Sequence, residues 1–249
     1  MKFTFIIVTF LIIFFTSCKN EKKKTLELKI EPIEVKGIVE VDSSKIIISQ
    51  LKLYSKLYSK LELTEFKDSS FVALKMIDTT FQYDMKYATS DNFLKEKVYD
   101  CADCLVRYKT AKQLIKVNDT FKKRGYKIKF FDCYRPLSIQ KKMWRIYPDK
   151  RYVANPTKGS NHNRGSAVDI TLVDSLGVEL DMGTSFDFFG RKAHHAYQNF
   201  PQRILENRKL LKSVMEANGF WSITSEWWHY NLAKSYQYNV SDFKTECEN

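Results

Sequence analysis

Ser160-Asn161-His162-Asn163-Arg164-Gly165-Ser166-Ala167-Val168-Asp169-Ile170-Thr171-Leu172-Val173 is the stretch that decides how this chain folds. It opens polar, is interrupted by Gly165, and closes on an apolar, β-branched run. A loop carrying His162 is therefore expected to feed a strand over 167–173. Asp169 then lies inside that strand among apolar neighbours. A carboxylate there is costly to bury unpaired, and a metal ion would satisfy it.

Working outward, residues 126–131 alternate and predict a second strand. Residues 71–76 alternate more loosely, also as a strand. Ala111, Leu114, Ile115, Val117 and Phe121 recur at helical spacing, which predicts a helix over 105–124 closed by Gly125. Residues 139–146 read as helical, and 201–218 as a helix ended by Gly219. Residues 220–232 read as strand-rich. Strands and helices are mixed with no repeating βαβ rhythm, so the expected class is α+β rather than a doubly wound sheet.

The N-terminus reads as an address. Lys2 precedes an apolar run from Phe3 to Phe15, followed by Thr16-Ser17-Cys18. A positive start, about a dozen apolar residues and a small-residue cleavage site make a secretory signal. The run is shorter than the roughly 20 residues a spanning helix needs. Phe15-Thr16-Ser17-Cys18 resembles a bacterial lipobox, which implies cleavage before Cys18 and lipidation of that residue. The expected organisation is a signal peptide over 1–17, a lipid-anchored tether and undefined N-terminal segment over 18–70, one catalytic domain over 71–235, and a C-terminal tail over 236–249. The expected location is the cell envelope, on the periplasmic face or the outer membrane.

The 249 residues carry a formal net charge of +12 and include 18 Phe and 14 Tyr, enough aromatic bulk for a large core. The lysines are scattered, apart from Lys22-Lys23-Lys24, and no nucleic-acid motif is present. The excess charge suits a surface facing an anionic envelope. No nucleic-acid or protein partner is expected. Cys101, Cys104, Cys133 and Cys247 read as one or two structural disulfides of an exported protein. Four cysteines allow three connectivities, and the sequence does not choose. Cys101-Ala102-Asp103-Cys104 has no second pair at zinc-ribbon spacing.

The chemistry is carried by two of the four histidines. His162 stands six residues before the strand carboxylate Asp169, counting those between them, and Glu226-Trp227-Trp228-His229 follows later. Hydrolytic zinc takes three protein ligands and leaves a fourth position for water. His162, Asp169 and His229 supply such a set, and Glu226 is left as a base. Taken singly, each has a bland reading: a core histidine, or an aspartate paired with arginine. The joint pattern is what argues for a site. Glu226 and His229 would face opposite sides of a regular strand, so a turn or bulge must bring them together. His194-His195 are adjacent, diverge in regular structure, and are expected not to be ligands. Arg135, held extended before Pro136, can offer a rigid charged fork to a developing oxyanion.

Asp132-x-Tyr134-Arg135-Pro136, Ser160-x-His162-x-x-Gly165-x-Ala167-x-Asp169 and Glu226-Trp227-Trp228-His229-Tyr230 resemble the D-alanyl-D-alanine dipeptidases. These are the VanX-type members of the zinc DD-peptidase group, which shares its fold with the Hedgehog signalling domain. The similarity runs from about residue 72 to 235. It implies a mostly antiparallel sheet flanked by helices, and one Zn2+ per chain on His162, Asp169 and His229. It also implies Glu226 as catalytic base and Arg135 as transition-state stabiliser. Asp181-Met182-Gly183-Thr184-Ser185-Phe186-Asp187 is similar to the family's loop that reads the substrate amino group, which puts that role on Asp187. Ser160 matches a position lining the substrate pocket. The expected reaction is zinc-dependent hydrolysis of D-alanyl-D-alanine to D-alanine. The rivals are a D,D- or L,D-carboxypeptidase acting on peptidoglycan stem peptides, and a non-catalytic zinc-containing envelope protein. The export signal departs from the family's best-known members, which are cytoplasmic.

Overall fold

The computed structural model describes residues 66–244. The expected signal peptide, Cys18 and the tether as far as residue 65 lie outside the described residues. Among the described residues no helix is long and apolar enough to cross a membrane.

The strand expected over 167–173 forms as β5 (Ala167–Val173), and every one of its residues is buried. It is the middle strand of a five-stranded sheet. On one side lies β4 (Lys127–Asp132), with β2 (Gln82–Tyr83) beyond it; on the other lies β7 (His229–Leu232), with β6 (Phe220–Ser222) at the edge. β2 runs parallel to β4, and all other pairings in this sheet are antiparallel. A second, two-stranded sheet joins β1 (Phe71–Ala73) to β3 (Leu105–Arg107).

Alternation along β5 divides its side chains between two faces. Val168, Ile170 and Leu172 join one apolar cluster with Leu114, Val117 and Phe121 of α2 (Tyr108–Lys122) and Leu211, Val214 and Met215 of α4 (Gln202–Ala217). Fully burying each such side chain is worth about 1.5–3 kcal/mol, so this face fixes the register of the sheet. Asp169 is left pointing to the other face, where it sits opposite His229 of β7.

Two expectations for the elements change. The segment 71–76 is a strand only to Ala73 and continues as a short helix, α1 (Leu74–Ile77). The helix expected over 105–124 begins only at Tyr108, because Leu105–Arg107 is drawn into pairing with β1. Extended pairing between distant segments overrides the local helical spacing there. Residues 139–146 are helical as expected, within α3 (Leu137–Ile146).

Four features aim the chain at the site. A bulge in β4 lets Phe130 pair with Ile170 but Asp132 with Asp169, so Asp132 is turned toward the same end of the sheet. A disulfide joins Cys104, just before β3, to Cys133, just after β4. The Cys101-x-x-Cys104 pair is therefore not bonded to itself. Gly165 ends the 3-10 turn His162–Arg164 at φ +72°, and a Cβ there would lie 2.5 Å from the Phe71 ring. Only glycine fits that approach. Packing also continues past residue 235: the Leu137 amide donates to Ser241 O at 3.0 Å, and Phe243 stacks on Phe71 at 5.2 Å.

Candidate metal centre

His162 stands on the 3-10 turn before β5, Asp169 in the middle of β5, and His229 at the first position of β7. Their side chains converge. His162 Nε2 lies 3.1 Å from His229 Nδ1 and 3.4 Å from Asp169 Oδ1. His229 Nδ1 lies 2.9 Å from the same Oδ1. A tetrahedral ion with bonds of about 2.0–2.2 Å would separate its ligand atoms by roughly 3.3–3.6 Å. The three edges are of that scale, so the residues present fit a metal ion. Among the described residues, this is the group of His, Cys, Asp and Glu side chains close enough to share one.

The far nitrogen of each ring is also fixed. His162 Nδ1 donates to the Cys133 carbonyl at 2.7 Å. His229 Nε2 donates to Asn231 Oδ1 at 3.0 Å, and Asn161 Nδ2 donates to the same oxygen at 2.8 Å. With the far nitrogens engaged as donors, the nitrogens that face Asp169 are the ones left to bind a metal, the arrangement metal-ligating histidines need. Burial opposes charge on Asp169 and His229, but attraction outweighs it. His162 and His229 hold the Asp169 carboxyl well below its ordinary range. Asp169 in turn lifts His229 to about 9. The proton that Asp169 favours on His229 must leave when a dication takes its place.

Glu226 lies on the turn just before β7, with Oε2 4.0 Å from His229 Nδ1. The turn resolves the three-residue spacing that a regular strand would have forbidden. Burial, together with the negative charge of Asp169, raises its carboxyl above the ordinary 4.5.

Arg135 is buried behind the site, and its backbone amide donates to the His162 carbonyl at 3.1 Å. Its guanidinium donates from Nη2 to Asp132 at 2.6 Å and from Nη1 to Gln140 at 3.0 Å, and packs 5.2 Å over the Tyr87 ring. Nε has no hydrogen-bond partner. Burial opposes the guanidinium charge, but Asp132 holds it firmly protonated. Asp132 also accepts the Tyr99 hydroxyl at 2.6 Å.

Asp187 sits on its loop at φ +56°, a strained position for a residue with a side chain. Its Oδ2 accepts the Tyr87 hydroxyl at 2.9 Å. Burial, then the charges of Asp169 and Glu226, push its carboxyl well above the ordinary range. Ser160 is placed differently: its hydroxyl donates to Asn163 Oδ1 at 3.1 Å, within the turn that carries His162.

The sequence reading gave no role to Asp132, Tyr87, Tyr99, Gln140 or Asn231. Asp132 shares a motif with Tyr134, Arg135 and Pro136, and its full burial shows that it serves Arg135. The others carry no sequence signal, because their partners are distant in the chain.

A family model described as D-ala-D-ala dipeptidase, the peptidase M15 family, matches residues 67–246. The D-alanyl-D-alanine dipeptidase of Escherichia coli K12 is 36% identical over 179 residues, covering 72% of this chain and 93% of that protein. The enzyme of the same name from Enterococcus faecium is 33% identical over 186 residues, covering 65% and 91%. The Streptomyces coelicolor protein of that name is 32% identical over 175 residues, covering 61% and 85%. With the convergent His162, Asp169 and His229 already in place, the chain belongs to the D-ala-D-ala dipeptidase family, the metal-dependent M15 peptidases.

Proposed function

We propose that this protein hydrolyses D-alanyl-D-alanine to two D-alanine molecules, with Zn2+ as its metal. The observation that carries the reading is the convergence of His162 Nε2, Asp169 Oδ1 and His229 Nδ1 within 3.4 Å, beside the raised carboxyl of Glu226. The three donors would hold the ion, which when bound supplies Lewis acidity and makes water acidic near neutral pH. Glu226 takes the proton of the attacking water and returns it to the leaving amine. A carboxyl raised by burial is suited to both halves of that transfer. Arg135 holds the developing oxyanion. Asp132 and Gln140 fix the guanidinium from behind, and its Nε–H is the donor without a partner. One such donor is typically worth about 3 kcal/mol of barrier. Asp187 pairs with the free amino group that distinguishes a dipeptide from a longer stem, and Ser160 shapes the turn on the pocket wall.

Two further features support a location in the cell envelope. The apolar N-terminal run and Phe15-Thr16-Ser17-Cys18 suit export and lipidation at Cys18. A disulfide between Cys104 and Cys133 suits an oxidising compartment. These features support a reading of the enzyme as lipid-anchored at the cell envelope, with a small D-dipeptide as substrate.

The test is D-alanine release by the zinc-loaded protein from the free dipeptide and from a stem pentapeptide. Release from the dipeptide alone supports the proposal. Release from the pentapeptide at equal or greater rate would convert the reading to a carboxypeptidase.

A further inference from the structure

We infer that the groove between the 194–198 loop and α4 is a second binding site, for a small oxyanion bearing one carboxylate or phosphate group, held by Arg208, His195 and Tyr230. It lies on the helix-covered face of the sheet. Tyr230 is the strand neighbour of His229, so its side chain points away from the metal centre.

Arg208 is the anchor. It is only 5% exposed. Its Nε donates to Met182 O at 2.7 Å and its Nη1 to His194 O at 3.3 Å, while Nη2 has no partner. The guanidinium rests 4.7 Å from the Phe200 ring centre. No carboxylate among the described residues lies within ion-pair distance of it; Asp181, which also meets Arg203 at 3.9 Å, acts on it from farther off. Two backbone carbonyls satisfy hydrogen bonds, but burial lowers the guanidinium to about 10 against the more distant charge of Asp181, so its positive charge is only partly compensated.

Two further buried polar atoms lack partners at the same place. The Tyr230 side chain is fully buried and its hydroxyl makes no hydrogen bond. His195 Nε2 is likewise buried and unpartnered. The two rings meet edge to face at 6.4 Å. Arg208 and His195 thus bring two orphaned polar atoms to the lining of one groove, with the orphaned hydroxyl of Tyr230 beneath it against the His195 ring, where most buried polar groups are paired. Lys209 and Lys212 add positive charge on the rim, Lys212 meeting Glu216 at 3.8 Å, and the acid that lines the groove, Glu206, accepts Gln202 at 3.0 Å. Burial, then the charges of Lys212 and Arg208, lower His195 to about 4, so at neutral pH it is an uncharged ring able to donate from Nε2. A lone water would answer the hydrogen bonds but not the guanidinium charge; an oxyanion answers both.

The test is thermal melting of the metal-loaded full chain in rising phosphate and rising acetate, each against sodium chloride at equal ionic strength. A ligand that binds the folded state raises Tm with concentration. The expected result is a rise beyond chloride with at least one anion, and which anion acts names the group recognised. Y230F, which removes only the unpartnered hydroxyl, should weaken the apparent affinity about tenfold. R208Q should abolish the response. No rise beyond chloride up to about 100 mM anion would overturn the inference. So would a rise that persists undiminished in Y230F and R208Q, as an anion resting on the metal would give. If R208Q fails to fold, Y230F decides alone.

Discussion

Replacing Cys104 and Cys133 together by alanine should cost the domain stability without removing its chemistry. The bond closes a loop with a sequence separation of 29. In the chain-entropy model, opening such a loop destabilises by about 3.6 kcal/mol at 25 °C. Both cysteines are buried, so loss of their sulfur contacts acts in the same direction. For a domain of this size, a change of that order lowers Tm by about 7–14 °C. The metal centre should survive, because His162 is oriented by the backbone carbonyl of Cys133 and not by its sulfur. The assay is a thermal melt of wild type and double variant, both metal-loaded, with metal content and D-alanine release measured well below either midpoint. The variant is a cleaner perturbation than a reductant, since Cys101 is also disulfide-bonded and reduction would not spare it. A Tm within about 2 °C of wild type would refute the entropic argument. Loss of metal at a temperature where the fold is intact would refute the claim that the carbonyl alone positions His162.

Three further substitutions separate the roles assigned around the metal. Glu226→Gln should lower kcat by about 10²–10⁴-fold while zinc content stays at one per chain, because only the proton acceptor is removed; metal analysis beside kinetics checks it. Asn231→Ala removes the acceptor of His229 Nε2 and leaves Asn161 Nδ2 unpartnered. It should weaken zinc binding about 10–100-fold in a chelator competition, with kcat recovering at excess zinc. Asp187→Asn should raise KM for D-alanyl-D-alanine far more than for an N-acetylated analogue, and equal effects on both would remove Asp187 from amine recognition.

Legibility of the sequence followed the range of the interactions involved. β5 was readable because seven consecutive residues carry one signal, and its buried centre admits no other element. The candidate metal ligands are legible because three residues of two costly types, His and Asp, stand at spacings that bland explanations do not share. β3 was not readable: Leu105–Arg107 is strand only because it meets β1 more than thirty residues earlier. Local spacing placed the same residues in the following helix. The groups behind the site were hidden for the same reason. Tyr87 reaches Asp187 across a separation of 100 residues, and Asn161 reaches Asn231 across 70. Neither contact leaves a periodic trace. The bulge at Phe131 that turns Asp132 toward Arg135 is likewise a property of the paired strands, visible only once the register is known.

Dipeptide hydrolysis is proposed to depend on an ion held by His162, Asp169 and His229. The most direct measurement is D-alanine release from D-alanyl-D-alanine by the purified chain and by H229A, each as isolated, after chelation, and after zinc is restored. The wild-type chain should carry one zinc, lose activity on chelation and regain it with zinc, while H229A stays inactive under all three conditions. Full activity in H229A, or in wild-type protein shown to be free of metal, would contradict the account.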